Sequence, residues 1–272
     1  MGLGRARLVG LLLTAAAVIG LLVASSASAV TVPRNIALHV TVNGSGTVRV
    51  PGHPAFTCHA SFPTSSHCRR TFQIRKGRRI VVTESPATGW KLWKWTGACH
   101  GSAASCPLRV EARRFGFVTA SFVPPGDRLN PYPLGTPVSW DHPGNVGWRM
   151  TVNSATINAN AQVEAVNGNV PPPAGQQYTL VNLSVTLLNG SPAPRNYFLG
   201  GLLAATRKWA SIPDQSCTPP SPDLGSAGTV NSGQTETGNL CFLIFTSEAN
   251  KLKLTANDEN AASPNDIWFA LH

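Results

Sequence analysis

The chain is poor in acidic residues, and its first half has almost none. Residues 34–123 hold two carboxylates, Glu84 and Glu111, against thirteen Lys and Arg. A glycoside hydrolase needs two carboxyl groups that face one cleft, and no spacing in the sequence joins two acids in that way. The shortage of acid therefore disfavours this class of enzyme.

Motifs of the common catalytic and nucleotide-binding sites are also missing. The chain has no G-x-S-x-G elbow, no H-E-x-x-H, no P-loop and no G-x-G-x-x-G. His142 lies beside Asp141 in WDHPGN (140–145), but neighbours in a Pro-Gly turn point apart, so we interpret the pair as a surface turn. The acidic run NDEN (257–260) lacks the alternating ligands of a calcium loop. We predict a protein that is not an enzyme and needs neither a metal nor a cofactor.

Amphipathic helices are absent from the pattern, because the apolar residues recur every second position. IALHVTV (36–42) alternates in this way, and so does YTLVNLSVTLLN (178–189) before an Asn-Gly turn. NLCFLIF (239–245) is nearly all apolar, which is typical of a strand buried on both faces. The segment GLLAATRKWASI (201–212) is compatible with a helical turn, and its pattern does not decide whether one forms. We predict an all-β protein whose second half is a sandwich of about seven short strands.

The first 29 residues have the features of a secretory signal peptide. Arg5 and Arg7 precede an apolar run over 8–23, and Ala27-Ser28-Ala29 (27–29) provides a cleavage pattern of small residues. The run is short for a membrane span, although a retained anchor stays the alternative. No cysteine follows the small residues to carry a lipid. We expect a secreted protein, extracellular or loosely associated with the cell wall, with no transmembrane anchor after cleavage.

Six cysteines in an exported chain predict disulfides. Four lie in the first half and two lie far downstream, which favours pairing within each group. The predicted bridges are Cys58–Cys68, Cys99–Cys106 and Cys217–Cys241. A zinc site from Cys99, His100, Cys106 and a neighbouring residue stays the alternative, although its spacing fits none of the usual zinc knuckles.

Charge and proline content divide the chain into two parts. Residues 34–123 carry a net charge of +11, whereas residues 124–272, with seven Lys and Arg against ten acids, carry −3. PPGDRLNPYPLGTP (124–137), rich in proline and glycine, stops any regular element between them. We predict a basic β domain over 30–123, a linker over 124–137 and a β-sandwich over 138–272.

A dense basic run is the feature that points most clearly to a partner. CRRTFQIRKGRR (68–79) holds six Lys or Arg, and around one hairpin these would attract an anionic wall polymer, a sulfated glycan, anionic lipid headgroups or extracellular nucleic acid. Lys91 and Lys94 flank Trp90 and Trp93, which predicts a mixed aromatic and cationic surface, whereas Trp95 belongs in the core. The candidate polyanion-binding residues are Arg69, Arg70, Arg75, Lys76, Arg78, Arg79, Lys91 and Lys94.

Several motifs of the first half are similar to those of a known family. They are VTVNGSGTVRV (40–50), the pair Cys58 and Cys68, KGRRIVVTESPATGW (76–90) and, most specifically, WKWTGAC (93–99). With these, residues 36–123 resemble the divergent bacterial repeat related to the internalin-type B-repeat. The resemblance implies a small β-grasp-like module of secreted and surface proteins, which acts as a spacer or adhesive unit. Such repeats usually occur in series, and this chain has one copy.

The second half carries motifs of another family. GWRMTVNSATI (147–157), AGQQYTLVNLSVTLLN (174–189), VNSGQTETGNLCFLIF (230–245) and KLKL (251–254) follow one another in order. With them, residues 135–272 resemble the telokin-like, immunoglobulin-like domain family of secreted bacterial proteins. The resemblance implies an immunoglobulin-like β-sandwich and an extracellular location, and it provides no catalytic residues.

These observations favour a secreted, non-enzymatic, two-domain binding or adhesion-type protein of the bacterial envelope or host interface. The basic domain would contact an anionic polymer, and the sandwich would offer a surface to a protein partner. Two alternatives stay open. One is a secreted hydrolase or an inhibitor of one, and the other is a passive structural spacer.

Overall fold

A computed structural model describes residues 34–52, 55–74, 79–109, 115–142, 146–194, 199–203, 209–210, 217–225, 228–256 and 267–272. These residues form mainly β-strands, so the predicted all-β class is confirmed. The signal segment, residues 1–29, lies outside the described residues. We call residues 34–123 the N-terminal module, 124–137 the connecting segment and 138–272 the C-terminal module.

The described residues of the N-terminal module form two four-stranded sheets. Its strands are β1 (Arg34–Asn43), β2 (Gly46–Val50), β3 (Phe56–Ala60), β4 (Ser66–Ile74), β5 (Arg79–Pro86), β6 (Lys91–Gly97), β7 (Ser105–Arg109) and β8 (Phe115–Val123). The strand orders are β4-β1-β8-β6 and β3-β2-β5-β7. All neighbours are antiparallel except β1 and β8, which are parallel.

One hydrophobic core lies between these two sheets, and all eight strands contribute to it. In β1, Leu38, Val40 and Val42 point inward because side chains alternate along a strand. Trp95 is 2% exposed, and its indole nitrogen donates to the Ala103 carbonyl at 2.7 Å, so its predicted core position is confirmed. The family resemblance implied a β-grasp-like layout. The described residues of this module form no helix and instead make a two-sheet sandwich.

Two disulfides join the sheets of this sandwich, one at each edge. Cys58 on β3 is bonded to Cys68 on β4, and both strands are edge strands. At the opposite edge, Cys99 follows β6 and is bonded to Cys106 on β7. These pairs and Cys217–Cys241 are the predicted ones, and the prediction is confirmed. The zinc alternative fails because the sulfur atoms of Cys99 and Cys106 are bonded to each other.

The described residues of the C-terminal module add two four-stranded sheets and a two-stranded one. Its strands are β9 (Val138–His142), β10 (Val146–Thr156), β11 (Gln176–Asn189), β12 (Ala193–Pro194), β13 (Leu199–Leu203), β14 (Trp209–Ala210), β15 (Thr229–Val230), β16 (Thr235–Phe245), β17 (Lys253–Ala256) and β18 (Ile267–Ala270). The orders are β16-β11-β10-β9, β14-β13-β17-β18 and β12-β15. The described strands exceed the predicted seven because three of them have only two residues, too short for a periodic pattern.

Helical structure in this module is short. It comprises α1 (Asn160–Glu164) and a 3-10 helix (Thr246–Lys251) among the described residues. The sequence left open whether 201–212 contains a helical turn. Where the structure describes that segment, it belongs to strands β13 and β14. None of the helices in the described part of the chain has the length and apolar character to cross a membrane.

The predicted alternation in the C-terminal module is confirmed. Val181, Leu183, Val185 and Leu187 on β11 are fully buried in one core. The apolar run of β16 predicts burial on both faces, and this is confirmed in part: one face is buried, whereas on the other Cys241 is buried and Phe245 is 45% exposed. Leu240, Phe242 and Ile244 enter the same core, whereas Cys241 enters a second, smaller cluster with Cys217, Ala159, Val163, Tyr178 and Leu180.

The connecting segment is irregular, as its prolines predict, yet it is hydrogen-bonded to both modules. The Asn130 side-chain amide donates to the Gly89 carbonyl at 2.8 Å. Tyr132 donates to the Trp268 carbonyl and accepts from the Ala270 amide, both at 2.8 Å. Residues Pro33–His272 accordingly group as one compact unit. That the two modules are separate domains stays a prediction.

Candidate functional site

The outer face of the β4-β1-β8-β6 sheet combines cations, hydroxyl groups and aromatic rings. Strand register brings these side chains onto one surface, because paired residues project from the same side of a sheet. We call it the Phe117 face. Its members are Arg69 and His67 on β4, His39 and Thr41 on β1, Phe117, Thr119 and Ser121 on β8, and Thr96 and Lys94 on β6. Trp93, at a bulge of β6, joins them through its contact with Lys94.

Phe117 gives this face a flat apolar surface. Its side chain is 63% exposed and stacks on the His39 ring, with 4.8 Å between centroids and 24° between planes. His39 is in turn the register partner of Arg69 on β4. A guanidinium, an imidazole and an open benzene ring therefore follow one another across three neighbouring strands.

A second aromatic and cationic pair lies on β6. The strand has a bulge between Leu92 and Lys94, where Trp93 is 43% exposed. The Lys94 ammonium lies 3.9 Å from the centroid of its ring, a cation–π contact. Trp90 differs, because it is half-buried and packs against the core and against Phe62. The surface that the sequence assigns to both tryptophans is therefore formed mainly by Trp93.

The basic run over 68–79 does not lie around one hairpin, so that hypothesis is wrong. Strands β4 and β5 belong to different sheets, since β4 pairs with β1 and β5 pairs with β2 and β7. Arg69 is on the Phe117 face, whereas Arg79, at the start of β5, is exposed on the other sheet, as is Arg49. Arg70 is exposed on edge strand β4 in register with inward-facing Leu38. Arg75, Lys76 and Arg78 lie outside the described residues.

The one described acid of the N-terminal module points toward the core. Glu84 on β5 pairs with the fully buried Val48, and its Oε2 is buried without a hydrogen-bond partner among the described residues. Burial raises the pKa of this carboxyl above its ordinary value. Glu111, the other acid of the module, lies outside the described residues. Because Glu84 belongs to the other sheet, the described residues of the Phe117 face include no carboxylate to offset its cations.

This inward carboxyl predicts a pH-dependent stability. Between pH 4.5, the ordinary pKa, and the raised pKa, the folded protein holds a proton that the unfolded chain has lost. We expect the free energy of unfolding to fall as pH rises through that window. Glu84→Gln, which cannot ionise, should remove this part of the slope. Urea unfolding midpoints of both proteins from about pH 4.5 to 7 measure it, and parallel pH profiles would contradict the expectation.

The C-terminal module has an open cleft of about 370 Å³. Its lining side chains are uncharged and include Ser154, Gln162, Asn182 and Asn239. The Asn182 amide donates to Asn239 Oδ1 at 2.8 Å, so part of its hydrogen-bonding capacity is already used. None of the described lining residues is a carboxylate or an imidazole, which gives the hydrolase alternative no acid or base at this position.

The remaining candidate catalytic and metal-binding residues do not come together in the described ranges. His142 ends β9, and its side chain lies outside the described part, as does the whole of the acidic run 257–260. Glu236 accepts a hydrogen bond from the Gln234 side chain at 2.9 Å. Across the residues that the structure describes, no three His, Cys, Asp or Glu side chains gather as metal ligands would.

Comparison with known proteins leaves the family open. No protein-family model matches the chain, and no curated protein sequence matches it significantly. Similar solved structures include a candidate lipoprotein from Bacillus subtilis, with 18% identity and a TM-score of 0.32 over 49% of this chain. A conserved hypothetical protein from Bacillus anthracis, with 9% identity and a TM-score of 0.32, covers 51% of this chain and 95% of its own. A DUF3823 family protein from Bacteroides ovatus has 9% identity and a TM-score of 0.21, over 88% of this chain and 100% of its own.

The chain spans 37% of the length of the Bacillus subtilis protein. TM-scores of 0.21 to 0.32 are too low to transfer a fold or a function. The arguments about function therefore rest on the residues of this chain.

Proposed function

We propose that the protein is a secreted, non-enzymatic binding protein whose N-terminal module holds an anionic polymer on the Phe117 face. One observation carries the proposal. Arg69, Lys94, His39 and His67 share this face, while the described carboxylate of the module, Glu84, is turned inward.

Physical chemistry connects this face with a polyanion. Cations without a nearby carboxylate raise the local concentration of anionic groups, and binding releases the counterions that the polymer had condensed. Exposed Phe117 and Trp93 add flat surfaces on which sugar rings or bases stack. Acidic wall polymers and sulfated glycans combine negative charge with rings, and this combination matches the composition of the face.

Several features support a secreted location at the bacterial envelope. Three disulfides with no free cysteine in the described residues suit an oxidising compartment. The first 29 residues have the order of a signal peptide. The motif resemblances to a B-repeat and to a telokin-like domain agree with this location. The C-terminal module would then offer its surface to a protein partner.

Retention on immobilised heparin at increasing salt tests the proposal. We expect the full chain to bind at low salt, and Arg69→Ala/Lys94→Ala to lower the slope of log affinity against log salt by about 2, because two phosphate-like contacts are lost. Arg49→Ala/Arg79→Ala is the matched control, since it removes the same charge from the other sheet. Failure of the unmodified chain to bind would refute the proposal. Equal losses in the two variants would show that binding depends on the overall charge of the module and not on the Phe117 face.

A further inference from the structure

A five-residue turn in the connecting segment contacts the modules on both sides. The turn, Gly126–Asn130, is closed by a hydrogen bond from the Gly126 amide to the Asn130 carbonyl at 2.9 Å. On the N-terminal side, the Asn130 side chain donates to Gly89, two residues before β6 begins. On the C-terminal side, the Gly126 carbonyl accepts from the Trp268 amide at 2.9 Å.

Three cations belong to this region: Arg128 lies within the turn, and Lys91 and Lys253 come from other parts of the chain. Lys91 is the first residue of β6, and Lys253, the first residue of β17, donates through Nζ to the Arg128 carbonyl of the turn. The Arg128 guanidinium lies 5.8 Å from the ring of Trp268. Asp127 is the acid of the turn, and its Oδ1 already accepts a hydrogen bond from the Leu129 amide at 2.7 Å.

Burial and the neighbouring charges both act on the Lys253 ammonium. Burial lowers the pKa of its ammonium first, the charges of Arg128 and Lys91 lower the pKa further, and Asp127 partly opposes them. Among the described residues, Asp127 is the acid that acts on this ammonium, and it opposes the effects of Arg128 and Lys91 only in part. An anionic group at this point would relieve the repulsion.

Strand register connects this cluster with the Phe117 face. Lys94 pairs with Ser121 and Lys91 pairs with Val123 on β8, so both lysines project from the outer side of the sheet. Three residues of strand separate them by about 10 Å. Lys91 is therefore the next cation after Lys94 along β6, on the side toward the turn.

We propose that the polyanion-binding surface continues from the Phe117 face through Lys91 to Arg128 and Lys253, so that one ligand contacts both modules. The inference rests on the proposed function and specifies its ligand as a linear polymer with repeated negative charges. A single anionic group would reach only one part of this tract. The C-terminal module, with its net negative charge, thereby contributes one cation, Lys253, and the connecting segment contributes Arg128.

Two pairs of variants in the full chain test the tract, with heparin as the probe. Lys253→Ala should weaken binding several-fold and lower the salt slope by about 1, the loss of one contact. Lys251→Ala is its matched control, because the same charge is removed two residues away, from an exposed position on the 3-10 helix. Arg128→Ala should behave like Lys253→Ala while leaving the backbone carbonyl that Lys253 contacts. Exposed Arg149 on β10 provides the control Arg149→Ala.

Thermal unfolding of each variant establishes that it is folded before its binding is compared. Equal, small losses in all four variants would overturn the inference while leaving the proposed function intact, because the unmodified chain would still bind. Absence of binding by the unmodified chain would end the proposed function and the inference together. Length dependence adds an independent result, since Lys253→Ala should weaken the binding of long heparin fragments more than that of fragments too short to pass from Lys94 to Lys253.

Discussion

Replacing Cys58, Cys68, Cys99 and Cys106 with serine should leave the N-terminal module largely unfolded at 25 °C. The two bridges close loops with sequence separations of 10 and 7 residues. In the chain-entropy model, loops of this size stabilise a fold by about 2.7 and 2.4 kcal/mol. Together they contribute about 5 kcal/mol, which equals the lower end of the usual stability of a whole domain. Each bridge also joins the two sheets at a different edge, so neither replaces the other.

Denaturant unfolding followed by tryptophan fluorescence, to which the buried Trp95 contributes, measures this loss. Cys217→Ser/Cys241→Ser is the control. It removes a bridge with a sequence separation of 24, worth about 3.4 kcal/mol in the same model, from the C-terminal module. That variant should destabilise its own module and keep the Phe117 face intact. A quadruple variant that keeps the parent's midpoint and heparin retention would contradict the role assigned to the two bridges.

Gly97→Ala should destabilise the N-terminal module far more than Gly101→Ala. Both glycines have positive φ, +89° and +86°, so both substitutions carry the strain of a left-handed alanine, about 1 to 2 kcal/mol. The two positions differ in the space available for a Cβ atom. A Cβ at Gly97 would lie 2.3 Å from the Phe117 carbonyl oxygen, whereas a Cβ at Gly101 would meet nothing within 4 Å. Because the obstacle is backbone, strand β8 itself must shift, which adds about 2 kcal/mol or more.

Urea midpoints of the two variants give the difference directly. Since the displaced atom belongs to Phe117, Gly97→Ala should also weaken heparin retention under conditions in which the protein remains folded. Gly101→Ala should bind heparin like the parent. Equal midpoints for the two variants would show that β8 accommodates the methyl group and that the close approach of β6 and β8 is not a constraint.

Local patterns in the sequence predicted much of the fold. The alternation of Val181, Leu183, Val185 and Leu187 predicted one buried face, and the apolar run over 239–245 predicted a strand buried twice. The distribution of the cysteines, four in the first half and two far downstream, predicted the disulfides. In each case the signal lies within a few neighbouring residues, where period and spacing decide the outcome. Two-residue strands such as β14 and β15 carry no such signal, because their pairing depends on residues far away in the chain.

Long-range pairing explains what the sequence did not predict about the site. The run over 68–79 looked like one basic hairpin, but β4 pairs with β1, about thirty residues earlier, which separates Arg69 from Arg79. Phe117 was not among the candidates because its partners, His39 and Arg69, are distant in sequence. The available signal was the alternation in FVTASFV (117–123), which places Phe117 on the same side of the strand as Thr119 and Ser121. The cations around Gly126–Asn130 come from three segments and carry no common motif.

The pairing of β1 with β8 has a mechanical consequence. These strands are parallel over seven residue pairs, from Ala37 with Phe115 to Asn43 with Ser121, so the chain enters the module at one end of the sheet and leaves it at the other. Tension between these points pulls the two strands in shear and loads all their hydrogen bonds at once. In this geometry the two strands cannot separate by breaking one hydrogen bond at a time. A module held to a surface by one end and to a neighbour by the other would thus resist stretching along its long axis.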